Sequence, residues 1–466
     1  MTRAMIRSTL LTTLVLCAAV SAQPTFEAEM RTFEARDGRT VEAEFVEFLV
    51  PERRRDPDSP LIRLAYVRFL STSENPGPPL VYLAGGPGGS GSRTAQGSRF
   101  DLFMAMREVA DVIAFDQRGT GASDPLPSCP HASRVPYDEA GTRERLTEMA
   151  REVAERCAAF WQAEGVDLGA YTTTASADDL ADLRDVLGVP RIDLWGISYG
   201  THLALATMKR HPDLVRRAVL AGVEGLDHTL KLPSDQLALL REIGERSGDA
   251  EFVDRMHRVH ERLHATPAQV PFTLRDGTVD TLALGAFEVQ IIASSYLTGP
   301  GTSMQLPSIY QAMEAGDYSA FAGTAPYWPR SLRMRAMSVA MDVASGASAM
   351  RLDQIRREAA LSPLSDAINF PAPVWTDVLD IDDLGPAFRS AFTSDVPVLF
   401  ISGTMDGRTP VRNATEARLG FPNSTHLILD GAGHSDPLFL STPMIETQMK
   451  AFLRGELVAH QTVSVW

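Results

Sequence analysis

A serine in a glycine-flanked turn is the residue of this sequence best placed for nucleophilic chemistry. Ser198 lies within GISYG at 196–200, after the apolar segment 192–195 and before the helix-forming segment 201–208. The pattern G-x-S-x-G between a strand and a helix forces the serine into a tight turn and projects its hydroxyl at the helix N terminus. The sequence therefore predicts Ser198 as a nucleophile.

A serine hydroxyl needs a base that takes its proton and a further acceptor that orients the base. Asp406 and His434 each follow a short apolar segment of the strand type. The carboxyl ends of parallel strands share one edge of a sheet with the loop that carries Ser198, so these remote residues are expected to converge. The order Ser, Asp, His predicts Asp406 as the orienting acid and His434 as the base, with Asp430 as a reserve acid.

The glycine-rich stretch GGPGGSG at 85–91 follows another apolar segment. Acyl transfer needs hydrogen-bond donors aimed at the developing oxyanion, and backbone N–H groups in such a loop can approach it closely. We expect these donors to be the N–H groups of Gly86 and of Tyr199, the residue after the nucleophile. A phosphate-binding loop is the competing interpretation, but the lysine and hydroxyl of that motif are missing.

A second polar loop, DQRGTGAS at 116–123, follows the apolar segment 112–115. Its two glycines and its charged pair, Asp116 and Arg118, are typical of a buried turn. We interpret this loop as scaffolding behind the site, because structural ion pairs commonly resemble functional ones.

The arrangement of apolar segments predicts an α/β fold. Strand-like patterns before residue 80 indicate an antiparallel entry to a sheet, and short buried strands then alternate with helices, as in a mostly parallel sheet covered on both faces. Between about 226 and 389 the alternation lapses into amphipathic helical patterns. We therefore expect a core built from residues 23–225 and 390–466, with residues 226–389 inserted as a helical cap.

Composition narrows the function classes. The 466 residues are 44% hydrophobic and 22% charged, as in a globular protein, which excludes wholesale disorder. The net charge of −15 would repel a phosphate backbone, so nucleic acid is not an expected partner. No H-E-x-x-H and no cluster of Cys and His ligands is present, and the chemistry outlined above requires no metal or organic cofactor. The sequence does not define an oligomeric state.

Residues 1–22 have the pattern of an export signal. Arg3 and Arg7 precede an apolar run at 10–20, and the small residues around Ala22 indicate cleavage after that residue. The run is too short to span a bilayer. An exported chain would retain Cys129 and Cys157, which are candidates for a disulfide in an oxidising compartment, with two buried free thiols as the alternative.

These segments together resemble the α/β-hydrolase serine peptidases of the prolyl aminopeptidase and tripeptidyl aminopeptidase group, and most closely its secreted tripeptidyl aminopeptidase-like branch. The matching segments lie at 85–91, 116–123, 196–200, 403–410 and 431–434. The resemblance implies an α/β-hydrolase fold and hydrolysis of peptide bonds near a free N terminus. One departure is Ala84, where prolyl aminopeptidases usually have histidine, and it argues against strict proline specificity.

An aminopeptidase also needs a partner for the substrate's ammonium group, and carboxylates suit a desolvated cation. Glu224 follows the predicted strand 215–221 at the same sheet edge, so it is the candidate amine anchor. A carboxylesterase with the same Ser-His-Asp triad is the alternative function, because the fold hosts both chemistries.

Overall fold

The computed structural model of the chain describes residues 26–274 and 276–466. The predicted signal segment, residues 1–22, lies outside these residues. In the described part the strands are β1 Phe26–Glu34, β2 Thr40–Pro51, β3 Leu61–Phe69, β4 Gly77–Leu83, β5 Ala110–Asp116, β6 Ser133–Arg134, β7 Ile192–Ser198, β8 Val215–Val223, β9 Ala268–Thr273, β10 Val279–Leu284, β11 Ser331–Leu332, β12 Val398–Gly403, β13 Ser424–Asp430 and β14 Gln461–Ser464. The helices are α1 Gly91–Ala95, α2 Phe100–Met106, α3 Arg143–Ala163, α4 Thr173–Leu187, α5 Tyr199–Arg210, α6 Pro233–Ser247, α7 Phe252–Ala265, α8 Ala286–Tyr296, α9 Pro300–Ser303, α10 Leu306–Glu314, α11 Ser319–Ala322, α12 Ala336–Ser345, α13 Ala349–Ala359, α14 Ala372–Val378, α15 Gly385–Arg389, α16 Val411–Arg418, α17 Pro437–Leu440 and α18 Pro443–Arg454.

The described residues form a ten-stranded central sheet in the order β1-β2-β3-β5-β4-β7-β8-β12-β13-β14. The pairs β1–β2, β2–β3 and β3–β5 are antiparallel. Every later neighbour pair in the sheet, from β5–β4 to β13–β14, is parallel. The predicted antiparallel entry and mostly parallel sheet are therefore confirmed, and the carboxyl ends of β7, β12 and β13 lie along one edge.

Helices cover both faces of the sheet. Consecutive residues of β7 show this most clearly: Leu194 packs in a cluster with Leu203 of α5, whereas Trp195 packs in a second cluster with Phe103 of α2. Burial on both faces explains why the central strands are continuous apolar runs rather than alternating ones. This continuity made these strands recognisable in the sequence.

Between β8 and β12 the chain forms the helices α6 to α15 together with an antiparallel hairpin of β9 and β10. Much of this segment surrounds a hydrophobic cluster of its own, which includes Leu240, Phe252, Tyr310 and Phe321. Among the helices of the described residues, none has both the length and the apolar character needed to cross a bilayer.

A segment that precedes the nucleophile strand packs against the same helical region. Helix α3 contributes to a cluster with residues of α12 and α14, and β6 pairs with β11. Cys157 of α3 is bonded to Cys129, which confirms the disulfide and leaves the free-thiol alternative without support. The predicted strands did not include β1, β14 or the β9–β10 hairpin, and of the nine residues of β1 only Phe33 is buried.

Candidate active site

Ser198 lies at the junction of β7 and α5, in a backbone conformation that few side chains adopt. Its φ is 53° and its ψ is −125°. Positive φ at a residue other than glycine costs about 1 to 3 kcal/mol and persists where the surrounding structure holds it. Gly200 makes this turn possible, since a Cβ atom there would lie 2.0 Å from the carbonyl oxygen of Leu83.

The structure brings Asp406 and His434 together. The Oδ2 atom of Asp406 lies 2.8 Å from Nδ1 of His434, and the carboxylate is fully buried. Its Oδ1 atom accepts hydrogen bonds of 2.8 Å from the backbone N–H groups of Arg408 and Thr409. Burial alone would raise the pKa of Asp406, but the neighbouring His434 and the hydrogen bonds outweigh it and hold the pKa below its usual range. Asp406 is therefore an anion that can orient the imidazole.

Gly222, at the end of β8, provides the space for this imidazole. Its φ is +58°, and a Cβ atom there would lie 3.3 Å from Cε1 of His434 and 2.9 Å from Oγ1 of Thr409. The neighbouring Val223 is in register with Ser198 across β7 and β8. A side chain at Gly222 would therefore crowd both the imidazole and Thr409. The reserve acid, Asp430, makes its hydrogen bonds with Thr404 and Arg246 instead of with His434.

Ser198 and His434 line a single cavity of about 540 Å³, which we call the catalytic groove. Gly86 lies on its wall, next to Gly85. Tyr199, the other expected oxyanion donor, is the first residue of α5, so its backbone N–H is at the helix N terminus. The Tyr199 side chain is buried, with its hydroxyl 3.0 Å from Oγ1 of Thr173, and burial raises the pKa of that hydroxyl.

The loop that carries Gly86 is tied to the DQRGTGAS turn through one carboxylate. Asp116 accepts hydrogen bonds from the hydroxyls of Ser90 and Ser92 at 2.7 and 2.6 Å, and from the backbone N–H of Ala122 at 2.9 Å. The residue is completely buried. The expected scaffolding role of this turn is therefore confirmed.

Arg118 in the same turn forms a buried ion pair with a helix. Its Nε and Nη2 atoms lie 2.7 and 2.6 Å from the two carboxylate oxygens of Asp179 in α4. Both side chains are fully buried. Paired, forked geometry of this kind compensates the desolvation of the charges, and removing one partner would leave the other uncompensated.

Glu224 lies at the predicted sheet edge, directly after β8, but its charge is already matched. Its Oε2 atom is 2.6 Å from Nζ of Lys231, and both side chains are largely buried. Burial raises the pKa of Glu224, but the charge and hydrogen bond of Lys231, together with the nearby His202 and His228, outweigh burial and hold the pKa below its usual value. Glu224, the expected amine anchor, thus lies at the predicted sheet edge in an ion pair with Lys231.

A different carboxylate faces a second cavity. Asp342 of α12 lines a space of about 260 Å³ together with Lys231, Arg408, Trp328 and Trp375, which we call the cap cavity. Burial and the negative charge of nearby Glu224 raise the pKa of Asp342 to about 8, against the opposing effect of Lys231 and Arg408. The Asp342 carboxylate has no hydrogen-bond or ion-pair partner among the described residues.

Two further observations concern the cap cavity. The hydroxyl of Thr229 and the indole N–H of Trp375, both from residues that line it, are buried without a partner in the described part of the chain. Unsatisfied buried polar groups are rare in folded proteins, and a ligand or water bound in the cavity would satisfy these two. Arg408 lines both the cap cavity and the catalytic groove, so the two spaces adjoin at its side chain.

Sequence patterns did not identify Arg99, which holds the loop that follows His434. This buried arginine donates hydrogen bonds of 2.9 Å to Oγ of Ser435, 2.8 Å to Oδ1 of Asp436 and 2.6 Å to the hydroxyl of Tyr82. Ser435 has a φ of 73°, a conformation that needs such support. No motif marks Arg99, because its role depends on a contact between segments more than 330 residues apart.

Known proteins with similar sequences include peptidases. A tripeptidyl aminopeptidase of Streptomyces coelicolor is 37% identical over 188 residues, which cover 37% of this chain and 34% of that protein. The serine protease Hip1 of Mycobacterium tuberculosis is 30% identical over 183 residues, again 37% of this chain and 34% of that protein. The matches thus span about a third of the length of these relatives.

A solved structure, an epoxide hydrolase from an endophytic Streptomyces, covers 94% of this chain and 99% of its own at 15% identity and a TM-score of 0.39. A family pattern described as the alpha/beta hydrolase fold matches residues 78–439, which extend from β4 into α17 and include Ser198, Asp406 and His434. The parallel sheet and the position of Ser198 between a strand and a helix agree with this match. The chain belongs to the α/β-hydrolase fold family.

Proposed function

We propose that this protein is an exported serine peptidase that cleaves peptides near a free N terminus through an acyl-enzyme. The observation that carries the proposal is the catalytic groove, which is lined by Ser198 on its strained turn and by His434, whose imidazole is bound to Asp406. The similarity to a tripeptidyl aminopeptidase and to a serine protease favours a peptide as the substrate. The signal-like pattern of residues 1–22 and the Cys129–Cys157 disulfide support export.

Acylation begins with attack of the Ser198 hydroxyl on the scissile carbonyl. The hydrogen bond from Nδ1 of His434 to the Asp406 carboxylate places the ring proton on Nδ1, which leaves Nε2 free to take the serine proton. The backbone N–H groups of Gly86 and Tyr199 stabilise the tetrahedral oxyanion. As this intermediate collapses, the C–N bond breaks and protonated His434 gives its proton to the leaving amine.

Deacylation repeats the same steps with water. His434 takes a proton from a water molecule, which attacks the Ser198 ester. The same two backbone N–H groups stabilise the second tetrahedral oxyanion. When the ester C–O bond breaks, His434 returns the proton to the Ser198 oxygen. Each step uses only groups of this chain, the peptide and water.

The free N terminus is held in the cap cavity by Asp342 rather than by Glu224. The Glu224 carboxylate has the ammonium of Lys231 as its partner, whereas the Asp342 carboxylate has none among the described residues and lines a cavity with unsatisfied polar atoms. An arriving ammonium group stabilises the ionised form of Asp342, whose pKa is high without it. Charge-assisted hydrogen bonds of this kind are about twice as strong as neutral ones. Glu224 retains an indirect role, since it neutralises the lysine that would otherwise repel the substrate.

The experiment compares four substrates on the purified full chain: a tripeptide p-nitroanilide with a free N terminus, its N-acetylated form, a blocked internal peptide and a short acyl ester. We expect the free p-nitroanilide to be cleaved fastest and its acetylated form at least about 10-fold more slowly, because a hydrogen bond to a charged group is worth about 1.5 to 3 kcal/mol. Turnover confined to the ester would support the carboxylesterase and contradict the peptidase.

The anchor is tested with the same substrates. Asp342→Asn should lower kcat/KM for the free p-nitroanilide and leave that for the acetylated form nearly unchanged. Asp213→Asn is the matched control, because Asp213 is exposed and lines neither cavity. A variant Asp342→Asn that keeps the full preference for the free N terminus would refute the assignment.

A further inference from the structure

Three arginines line the catalytic groove without a partner for their guanidinium groups. Arg36, Arg93 and Arg408 contribute to the wall of the cavity that holds Ser198. None of the three guanidinium groups has an ion pair or a hydrogen-bond acceptor within residues 26–274 and 276–466. The groove therefore contains positive charge that the fold does not neutralise.

The acidic residue that lines the groove is already engaged. Asp436 is paired with Nε of Arg99 at 2.8 Å, and the hydroxyl of Ser98 donates to its other carboxylate oxygen. The excess charge of the groove thus comes from the three unpaired arginines. This excess stands out in a chain with a net charge of −15, where the average surface repels anions.

Unpaired arginines in a cavity are suited to a carboxylate ligand. The planar guanidinium group presents its donors as a fork that matches the two oxygens of a carboxylate, and it is always charged. A peptide substrate offers carboxylates of two kinds, at its C terminus and on the side chains of Asp and Glu.

The charges of the two adjoining cavities indicate how a substrate lies across Ser198. This step rests on the proposed function. The cap cavity contains the unpartnered carboxylate of Asp342, and the catalytic groove contains the unpaired arginines, with Arg408 at the boundary. A peptide whose ammonium end enters the cap cavity must place its leaving fragment in the groove, beside His434, which protonates the leaving amine.

We infer that the catalytic groove is a carboxylate-binding subsite for the leaving fragment. Arg36 and Arg93 bind this carboxylate, which belongs either to the free C terminus of a short peptide or to an acidic residue after the scissile bond. The enzyme therefore prefers peptides that carry such a carboxylate. Arg93 lies on α1, the helix that begins directly after the loop of Gly86. Since Arg93 and Ser198 line the same cavity, a carboxylate bound to Arg93 lies in the same cavity as the nucleophile. Binding a charge close to the scissile bond fixes the orientation of the peptide before attack.

Two pairs of peptides test the inference. The first pair is Ala-Ala-Ala-Ala-Ala with a free C terminus and the same peptide as its C-terminal amide. The second pair carries a C-terminal amide and differs in the residue after the scissile bond, Glu or Gln. At low ionic strength, we expect kcat/KM for the charged member of at least one pair to be about 10-fold higher than kcat/KM for its uncharged member. A charge-assisted hydrogen bond to the carboxylate accounts for a difference of this size. The pair that shows this difference identifies the source of the carboxylate.

The variants Arg93→Gln and Arg36→Gln should each reduce that ratio toward 1, and added salt should reduce it in the wild type, because salt screens exposed charges. Arg241→Gln is the matched control, since Arg241 is an exposed arginine of α6 that lines neither cavity, and it should keep the wild-type ratio. Equal cleavage of both members of both pairs would overturn the inference while the peptidase remains. Absence of any peptide or p-nitroanilide cleavage would instead refute the proposed function itself.

Discussion

The hydroxyl of Thr409 donates a 2.7 Å hydrogen bond to Oδ2 of Asp406, the same oxygen that binds His434. Thr409 Oγ1 also lies 3.0 Å from Nδ1 of His434. One threonine therefore touches both members of the pair and stabilises the ionised carboxylate in a fully buried position. Its backbone N–H binds the other oxygen, Oδ1, so Thr409 encloses the carboxylate from two sides.

We predict that Thr409→Val lowers kcat/KM for peptides by about 10-fold, because a lost hydrogen bond to a charged group costs about 1.5 to 3 kcal/mol. The pKa of Asp406 should also rise in the variant. As the pH is lowered, the variant should therefore lose activity at a higher pH than the wild type does. Steady-state rates between pH 4 and 8 measure both effects. Thr409→Ser keeps the hydroxyl and should retain most of the activity. Equal losses in the two variants would indicate a packing role only.

Asp406→Asn should lower kcat by about 10⁴-fold, since an amide cannot hold the imidazole in the required tautomer. The substitution conserves volume in a buried site, so the fold should persist. Kinetics with a p-nitroanilide substrate and a circular dichroism spectrum test this together. Asp430→Asn is the comparison, because Asp430 bonds to Arg246 and Thr404. A larger loss from Asp430→Asn than from Asp406→Asn would reverse the assignment of the acid.

Asp342 should make the folded state less stable as the pH rises. Its folded pKa of about 8 lies above the ordinary value of 3.8, so the folded state holds the proton more tightly than the unfolded state does. The contribution of Asp342 to the free energy of unfolding is therefore complete below pH 3.8. It is lost progressively as the pH rises from 3.8 to about 8. Glu224, Lys231, Arg408 and Tyr199 are the charged or titratable groups that act on this carboxylate.

Asp342→Asn removes that titration and should therefore stabilise the protein at high pH, by more than about 1 kcal/mol at pH 8. The melting temperature of the variant minus that of the wild type should grow between pH 4 and pH 8 and then remain constant. Calorimetric scans across this range provide the test. A difference that is constant with pH would mean that Asp342 has an ordinary pKa and that its environment is not as enclosed as described.

Arg99 should act as a positioning residue for His434. Arg99→Met keeps most of the apolar contact of the side chain but removes its hydrogen bonds to Ser435 and Asp436. We expect kcat to fall by about 10-fold or more with little change in KM, because a small displacement of a reacting group is costly while substrate contacts remain. Arg99→Lys should restore part of the rate. A rise in KM at unchanged kcat would place Arg99 in substrate binding instead.

The Cys129–Cys157 disulfide should stabilise the fold against unfolding. It closes a loop with a sequence separation of 28 residues, which corresponds to about 3 to 4 kcal/mol in the chain-entropy treatment. The double variant Cys129→Ser, Cys157→Ser should therefore unfold at lower denaturant concentration, and a reducing agent should lower the midpoint of the wild type but not that of the variant. An unchanged midpoint in both tests would contradict this contribution.

The sequence predicted those parts of the molecule that depend on local pattern. The central strands were recognisable because both faces are buried, and Ser198, Asp406 and His434 each follow such a strand. Edge strand β1 was missed although Phe26, Ala28 and Met30 alternate with charged residues, and of its side chains only Phe33 is buried. The disulfide was predicted from two cysteines and an export pattern, and the structure confirms it.

Contacts that no local motif marks could not be predicted. Arg99 and Ser435 are 336 positions apart, and nothing local to either marks the hydrogen bond between them. The partner of Glu224 is only seven positions away, yet Lys231 lies in a segment without a regular pattern, so the pairing could not be inferred. Asp342 belongs to an amphipathic helix in which one acidic residue suggests solvent exposure rather than a cavity.

The most direct measurement is the mass of the enzyme trapped during turnover. The full chain is mixed with a tripeptide p-nitroanilide that has a free N terminus, quenched in acid within milliseconds, digested and analysed by mass spectrometry. The account predicts a tripeptidyl adduct on the peptide that contains Ser198, formed together with a burst of p-nitroaniline, and neither in Ser198→Ala. An adduct on another residue, or full turnover by Ser198→Ala, would contradict it.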